Sequence, residues 1–193
     1  MSEVMALLAS AIIAGASLAS TSIVQISQTM NTDRNITIEI VNYSERYTLT
    51  NPRTYTYSGY CHHPPQPTIK QKTKEVCCFS KTAHTACGSV GVLTYQILSD
   101  AQDCVGELAL MYSVPYDYNL YENTFALGIF ESGFPCDEDL YNQMYYKSGP
   151  FIRGNGTGSS TTHSDKDAVV KGTMSSAGQA VMCVEFDDKL SNI

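Results

Sequence analysis

The residues of this chain that could do chemistry are its tyrosines, thirteen of them with no tryptophan. Three fall within the stretch Ser113-Val114-Pro115-Tyr116-Asp117-Tyr118-Asn119-Leu120-Tyr121. It follows an apolar, strand-like run, Leu108–Tyr112, and Pro115 ends ladder pairing there because proline has no N–H to donate. Further on, Asp137–Lys147 reads as a short helix in which Tyr141 and Tyr145, four apart, share one face beside Tyr146. Open ring faces hold a quaternary ammonium by cation–π attraction, and hydroxyl tips donate to phosphate oxygens. Together these describe a phosphocholine head-group pocket, set against the plainer reading that the rings are core filler and strand surface.

The elements that must position these rings are mostly strands. Ile36, Ile38 and Ile40 alternate with Thr37, Glu39 and Val41, a half-buried strand. Tyr47–Thr50 and Arg53–Tyr57 read as strands around an Asn51-Pro52 turn. Tyr60–Lys74 reads as a loop, since Pro64, Pro65 and Pro67 exclude a central strand. Gly88–Leu98, Gly106–Ser113, Thr124–Phe130, Asp167–Gly172 and Gln179–Phe186 complete the strands, with Gly154–Ser164 a Gly/Ser/Thr-rich loop. Asp137 caps the helix, Glu138 and Asp139 suit its first turn, and Gly149-Pro150 stops it. Many short strands with few helices predict a mainly β chain, a sandwich or barrel, as one domain over residues 1–193.

The N-terminal segment is of another kind. Val4–Thr32 carries no charge. At 100° per residue Ser10, Ser17, Thr21 and Gln28 form a narrow polar stripe, with Leu8, Ile12, Ala19, Ile23, Ile26 and Met30 opposite. As a helix it would be roughly 40 Å long, enough to cross a ~30 Å hydrocarbon core. Its Ala and Ser content suits a helix that packs on protein, lies on a membrane or lines a wet channel. A secretory leader would place Glu3 where such leaders carry Lys or Arg.

Several classes are excluded or unsupported. A net charge of −7 argues against nucleic acid as partner and against purely electrostatic docking on anionic lipid. No G-x-S-x-G, H-E-x-x-H or phosphate-cradling glycine loop occurs, so no enzyme activity and no cofactor is expected. Cys61-His62-His63 with Cys77-Cys78 matches no standard zinc ligand set, so no metal is expected. Seven cysteines, an odd count, favour free thiols, with one bridge from Cys61 to Cys77 or Cys78 left open. Asn35-Ile36-Thr37, Asn42-Tyr43-Ser44 and Asn155-Gly156-Thr157 are glycosylation sequons that need a secretory route to matter.

Four stretches carry a resemblance: Ile12–Leu18, Ser113–Asn119, Leu140–Tyr146 and Met174–Ala180. With them the chain is similar to the actinoporin family, the pore-forming cytolysins of sea anemones and their relatives. Tyr60-Cys61, Pro64–Thr68 and Glu75–Cys77 resemble the fish actinoporin-like branch in particular. The resemblance implies a two-sheet β-sandwich (residues 33–193) flanked by two helices, the N-terminal one (4–32) detaching to enter the membrane. Several copies would then line a cation-permeable pore, with Leu8, Ile12, Ile23 and Ile26 on the pore helix. It implies a phosphocholine pocket at Ser58, Val90, Ser113, Pro115, Tyr121, Tyr141, Tyr145 and Tyr146, all holding the family's residue type. A membrane-contact loop would comprise Tyr118, Leu120, Thr124 and Phe125. The implied partners are phosphatidylcholine or sphingomyelin membranes and further copies of the chain, which would be secreted or released before reaching a target membrane. Three departures stand out: Leu120 and Thr124 replace tryptophans, Tyr57 replaces an arginine beside the phosphate, and the helix's polar stripe is neutral. The alternatives are a lipid-binding module without pore activity and a carbohydrate-binding lectin, for which a detachable uncharged helix has no use.

Overall fold

The structure, a computed structural model, describes residues 23–189. Two six-stranded sheets pack face to face. The first runs β10 (Thr161–Ser164), β11 (Ala168–Met174), β12 (Gln179–Asp188), β1 (Asn35–Asn42), β5 (Thr73–Ser80), β3 (Tyr60–His63). The second runs β4 (Thr68–Ile69), β2 (Tyr47–Ser58), β6 (Ser89–Ser99), β7 (Cys104–Val114), β8 (Thr124–Phe130), β9 (Phe151–Asn155). All pairings are antiparallel except β1 with β12, which run parallel from Asn35↔Gln179 to Asn42↔Phe186.

Alternation sorts the side chains. Ile36, Ile38, Ile40 and Phe79 of the first sheet meet Leu93, Tyr95, Leu110, Tyr112, Phe125 and Leu127 of the second in one core. The odd residues of β7 and the even residues of β6 face outward. There Val90, Val92, Ala109, Met111 and Ala126 are covered by Leu140, Tyr141 and Met144 of helix α2 (Glu138–Tyr146). That helix starts where its acids require: Asp137 accepts from the Leu140 N–H at 3.0 Å. Helix α1 (Ile23–Gln28) and the turn after it cover the outer face of the first sheet, seating Ile26 of the helix and Met30 of the turn on Val76 and Cys78.

Four readings of the chain are corrected. Tyr60–Lys74 is not a loop throughout: β3 and β4 lie in it, both at sheet edges, where prolines are tolerated. Gly154–Ser164 likewise contains the end of β9 and all of β10, another edge strand. Tyr47–Thr50 and Arg53–Tyr57 form one strand, with an irregularity between Thr50 and Arg53 where Asn51 has φ of 49°. Strand β5, which the sequence did not disclose, is hidden by burial on both faces: Cys77 points into the core and Cys78 under α1. Of the N-terminal segment expected as a helix over 4–32, the described part begins at Ile23 and is helical over Ile23–Gln28; Leu8 and Ile12 lie outside the described residues. Among the described residues no helix is long and apolar enough to cross a membrane.

Candidate functional site

The sequence-predicted pocket residues gather at one end of the second sheet. Ser58 pairs with Val90, Val90 with Ser113, Ser113 with Thr124 and Thr124 with Asn155, a single row across five strands. Immediately beyond the row, Pro115 ends β7 and the chain turns through residues 116–123. Asp117 shapes that turn by accepting the Asn119 N–H at 2.8 Å on its carboxylate and the Tyr121 N–H at 3.1 Å on its carbonyl. Four large apolar or aromatic side chains of this loop are exposed, Tyr116, Tyr118, Leu120 and Tyr121, with Leu120 the most of them at 72%. Tyr146, 70% exposed, joins them from the end of α2.

The loop is held from two sides. The Arg34 guanidinium donates to the Pro115 carbonyl at 2.9 Å and the Tyr116 carbonyl at 2.8 Å, and lies over the Tyr118 ring at 4.7 Å. Asn123, wholly buried, donates to the Ser175 and Ala177 carbonyls at 2.8 and 2.9 Å and accepts from the Tyr118 hydroxyl at 2.7 Å. The stretch Met174–Ala180 is thus a support for the loop. Its Gly178 can carry no side chain, since a Cβ there would lie 2.5 Å from the Asp33 carbonyl. Asp33 and Arg34 directly follow the N-terminal segment, so the loop and the exit of that segment share one anchor. Lys81 ties Asp33 in at 3.0 Å and holds its carboxyl below the usual range.

Helix α2 supplies a continuous wall of rings. Tyr57 stacks on Tyr141 with centroids 4.7 Å apart, Tyr141 lies 5.7 Å from Tyr145, and Tyr145 meets Tyr146 edge-on at 4.6 Å. Burial, with neighbouring phenols adding, pushes the Tyr141 and Tyr145 hydroxyls above the ordinary range, so both remain O–H groups. The Ser113 side chain lies close enough to Tyr145 to offset part of that rise, and both hydroxyls carry a proton that can meet an outside acceptor. The Ser58 hydroxyl is spent on the Gly88 carbonyl at 3.0 Å.

Two residues do not sit as their expected roles require. Phe125 is fully buried in the core (0% exposed) and cannot present its ring to lipid; it alternates inward with Leu127 and Ile129. Tyr141 is only 4% exposed, because Tyr57 covers one of its faces and Tyr145 lies against it. Of the three sequons, Asn35 and Asn42 are wholly buried, with their amides donating to the Thr32 carbonyl and to the Tyr47 and Ile69 carbonyls; only Asn155 is exposed.

Sequence reasoning also missed the foundation under α2. Glu107, 1% exposed on the outer face of β7, pairs with Arg53 of β2 at 2.9 Å. Its other oxygen accepts the Gly133 N–H at 3.2 Å, while Arg53 donates to the Phe134 carbonyl at 2.9 Å. The Cys136 thiol closes the set on the Arg53 carbonyl at 3.4 Å. These bonds pin residues 133–136, the approach to the Asp137 cap, and so fix where α2 begins. At the other end Arg153 donates to the Met144 and Lys147 carbonyls at 2.9 and 2.6 Å.

Residues 7–188 match the model of a family described as sea anemone cytotoxic protein. Bryoporin of Physcomitrium patens is 33% identical over 156 residues, 80% of this chain and 84% of that protein. DELTA-thalatoxin-Avl1b of Actineria villosa is 34% identical over 75% of this chain and 62% of its own length. DELTA-actitoxin-Aeq1a of Actinia equina is 36% identical over 50% of this chain, and the match spans 42% of that protein. The crystal structure of the lipid binding protein Nakanori superposes with a TM-score of 0.66 over 87% of this chain and 77% of that one, at 12% identity, a likeness of fold alone.

Proposed function

Since this chain belongs to the sea anemone cytotoxic protein family, we propose that it docks on membranes through choline head groups and then permeabilises them with its N-terminal segment. The observation that carries the docking half is the ring wall of Tyr57, Tyr141, Tyr145 and Tyr146 standing beside the Ser113–Tyr145 hydroxyl pair. A methylated ammonium sheds water readily and gains about 0.5–2 kcal/mol from each ring face it meets. The Ser113 and Tyr145 hydroxyls, with the exposed Tyr121 and Tyr146, supply O–H donors for a phosphate. The exposed Leu120 with Tyr116, Tyr118 and Tyr121 offers the interface an apolar, hydroxyl-tipped edge. For the permeabilising half, copies of the chain assemble and residues 4–32 leave the sandwich to line a pore.

The test is competition. Phosphatidylcholine vesicles should pull the protein down in a sedimentation assay, and millimolar phosphocholine should release it while phosphoethanolamine releases less. Tyr145→Leu, which removes the central ring and its hydroxyl, should weaken pull-down about tenfold. If a simple sugar releases the protein and phosphocholine does not, the site is a lectin's and the docking proposal is wrong.

A further inference from the structure

We propose that Tyr57 is the ring that receives the ammonium, so that the site selects its ligand by the methylated cation rather than by the phosphate. This rests on the head-group reading above and names what that site discriminates. The argument begins with access. Tyr141 at the centre of the wall is 4% exposed, whereas Tyr57, stacked on it at 4.7 Å, is 55% exposed and presents its outer face to solvent. A cation arriving from solvent therefore meets Tyr57 before it can meet Tyr141.

Order comes next. The stack on Tyr141, itself packed with Leu140 and Met144 on the outer face of the sheet, holds the Tyr57 ring in one orientation. A ring already fixed loses little freedom when a ligand lands on it.

Charge supplies the third argument. The groups acting on Tyr141 are Tyr146, Tyr145, Tyr57 and Tyr55, all phenols. The Tyr55 hydroxyl, next along the outer face of β2, is raised first by burial and then by the nearby carboxylates of Glu138 and Asp137. The basic side chain acting on the wall, Arg153 at Tyr145, has its N–H groups on the Met144 and Lys147 carbonyls. The wall around Tyr57 is thus electron-rich with acids behind it, a field that draws a cation and gives an anion nothing but hydroxyl donors. Ligands of the class are choline-like: quaternary or methylated ammonium compounds, with or without a phosphate.

Phosphatidylcholine vesicles, choline chloride, phosphocholine and inorganic phosphate serve as probes with the full chain. Choline should displace the protein from vesicles nearly as well as phosphocholine, and inorganic phosphate should not displace it. Tyr57→Leu should bind about tenfold more weakly. Tyr57→Arg should lose displacement by choline while keeping that by phosphocholine. Unchanged or tighter binding by Tyr57→Leu would mean that Tyr57 merely covers Tyr141, and overturns the inference. So does a parent protein on which phosphocholine works more than about tenfold better than choline. Both results leave the head-group reading standing; a parent protein that ignores phosphatidylcholine vesicles overturns that reading together with this one.

Discussion

A protein beginning at Asn31 will bind phosphatidylcholine vesicles as the full chain does and will release no trapped dye. The docking machinery lies wholly after that point: Arg34, the loop at 113–121 and the rings on β2 and α2. The anchor at Thr32 is kept as well, since its hydroxyl bonds that of Ser80 at 2.8 Å and its carbonyl accepts from Asn35 at 2.9 Å. What is removed is the segment proposed to line the pore, including Ile26 and Met30. Each of these two buried side chains holds α1 down by about 1.5–3 kcal/mol. A bilayer returns the same burial to the same side chains, so head-group binding need tip only a near-balanced exchange. Cys78 shares a small buried cluster with Ile26, which offers a tether from one substitution: oxidised Ile26→Cys should bind vesicles without releasing dye, and reductant should restore release. Burial pushes the Cys78 thiol up to about 12, so the bridge will need added oxidant and raised pH. Dye release by the shortened protein would show that the pore element lies elsewhere. Binding without release by the full chain would reduce the protein to a lipid-binding module.

Removing Arg53 will destabilise the fold by about 3–5 kcal/mol, the cost of stranding a buried charge. At roughly 2–4 °C per kcal/mol for a domain of this size, the melting temperature falls by about 6–20 °C. The asymmetry is the sharper expectation. Arg53→Ala leaves Glu107 buried at 1% exposure with no countercharge, while Glu107→Ala leaves Arg53, a third exposed, free to turn to water. Glu107→Ala should therefore cost less, about 1–3 kcal/mol for the lost bonds at Gly133 and Arg53. Thermal unfolding of both variants reads the difference; equal losses would mean that the pair is not the buried anchor described. Because the pair fixes the approach to Asp137, both variants should also loosen vesicle binding through α2.

What could be read from the sequence follows from what burial leaves visible. β8, expected at Thr124–Phe130, has those bounds, since polar and apolar neighbours mark its ends. The start of α2 was legible from Asp137, Glu138 and Asp139 because capping is local chemistry. β5 was not legible: Val76-Cys77-Cys78-Phe79 is covered on both faces and shows no alternation. The edge strands β3, β4 and β10 are too short for a period to appear. Of the candidate site, the shared face of Tyr141 and Tyr145 was legible from their spacing, while Ser58, Val90 and Ser113 were indicated only through the family resemblance; the exposure of none could be read. Phe125 could have been placed inside from its register with Leu127 and Ile129. Tyr57 could not have been placed against Tyr141, because the irregularity between Thr56 and Ser58 sets where its ring points. The Arg53–Glu107 pair joins residues distant in the chain and has no local mark.

The parallel pairing of β1 with β12 governs when this molecule can exist at all. β1, entered directly from the Asp33–Arg34 anchor, lies inside its sheet between β5 and β12, the last of the described strands. Until residues 179–188 have left the ribosome, one edge of β1 has no partner and the first sheet is split. Such end-to-end pairing has high contact order and slows folding, because the longest loop closes before its contacts repay the cost. A nascent chain therefore has no completed sandwich on which to seat Ile26 and Met30. Ile26 and Met30, made long before residues 179–188, stay unburied until that last pairing closes the sheet.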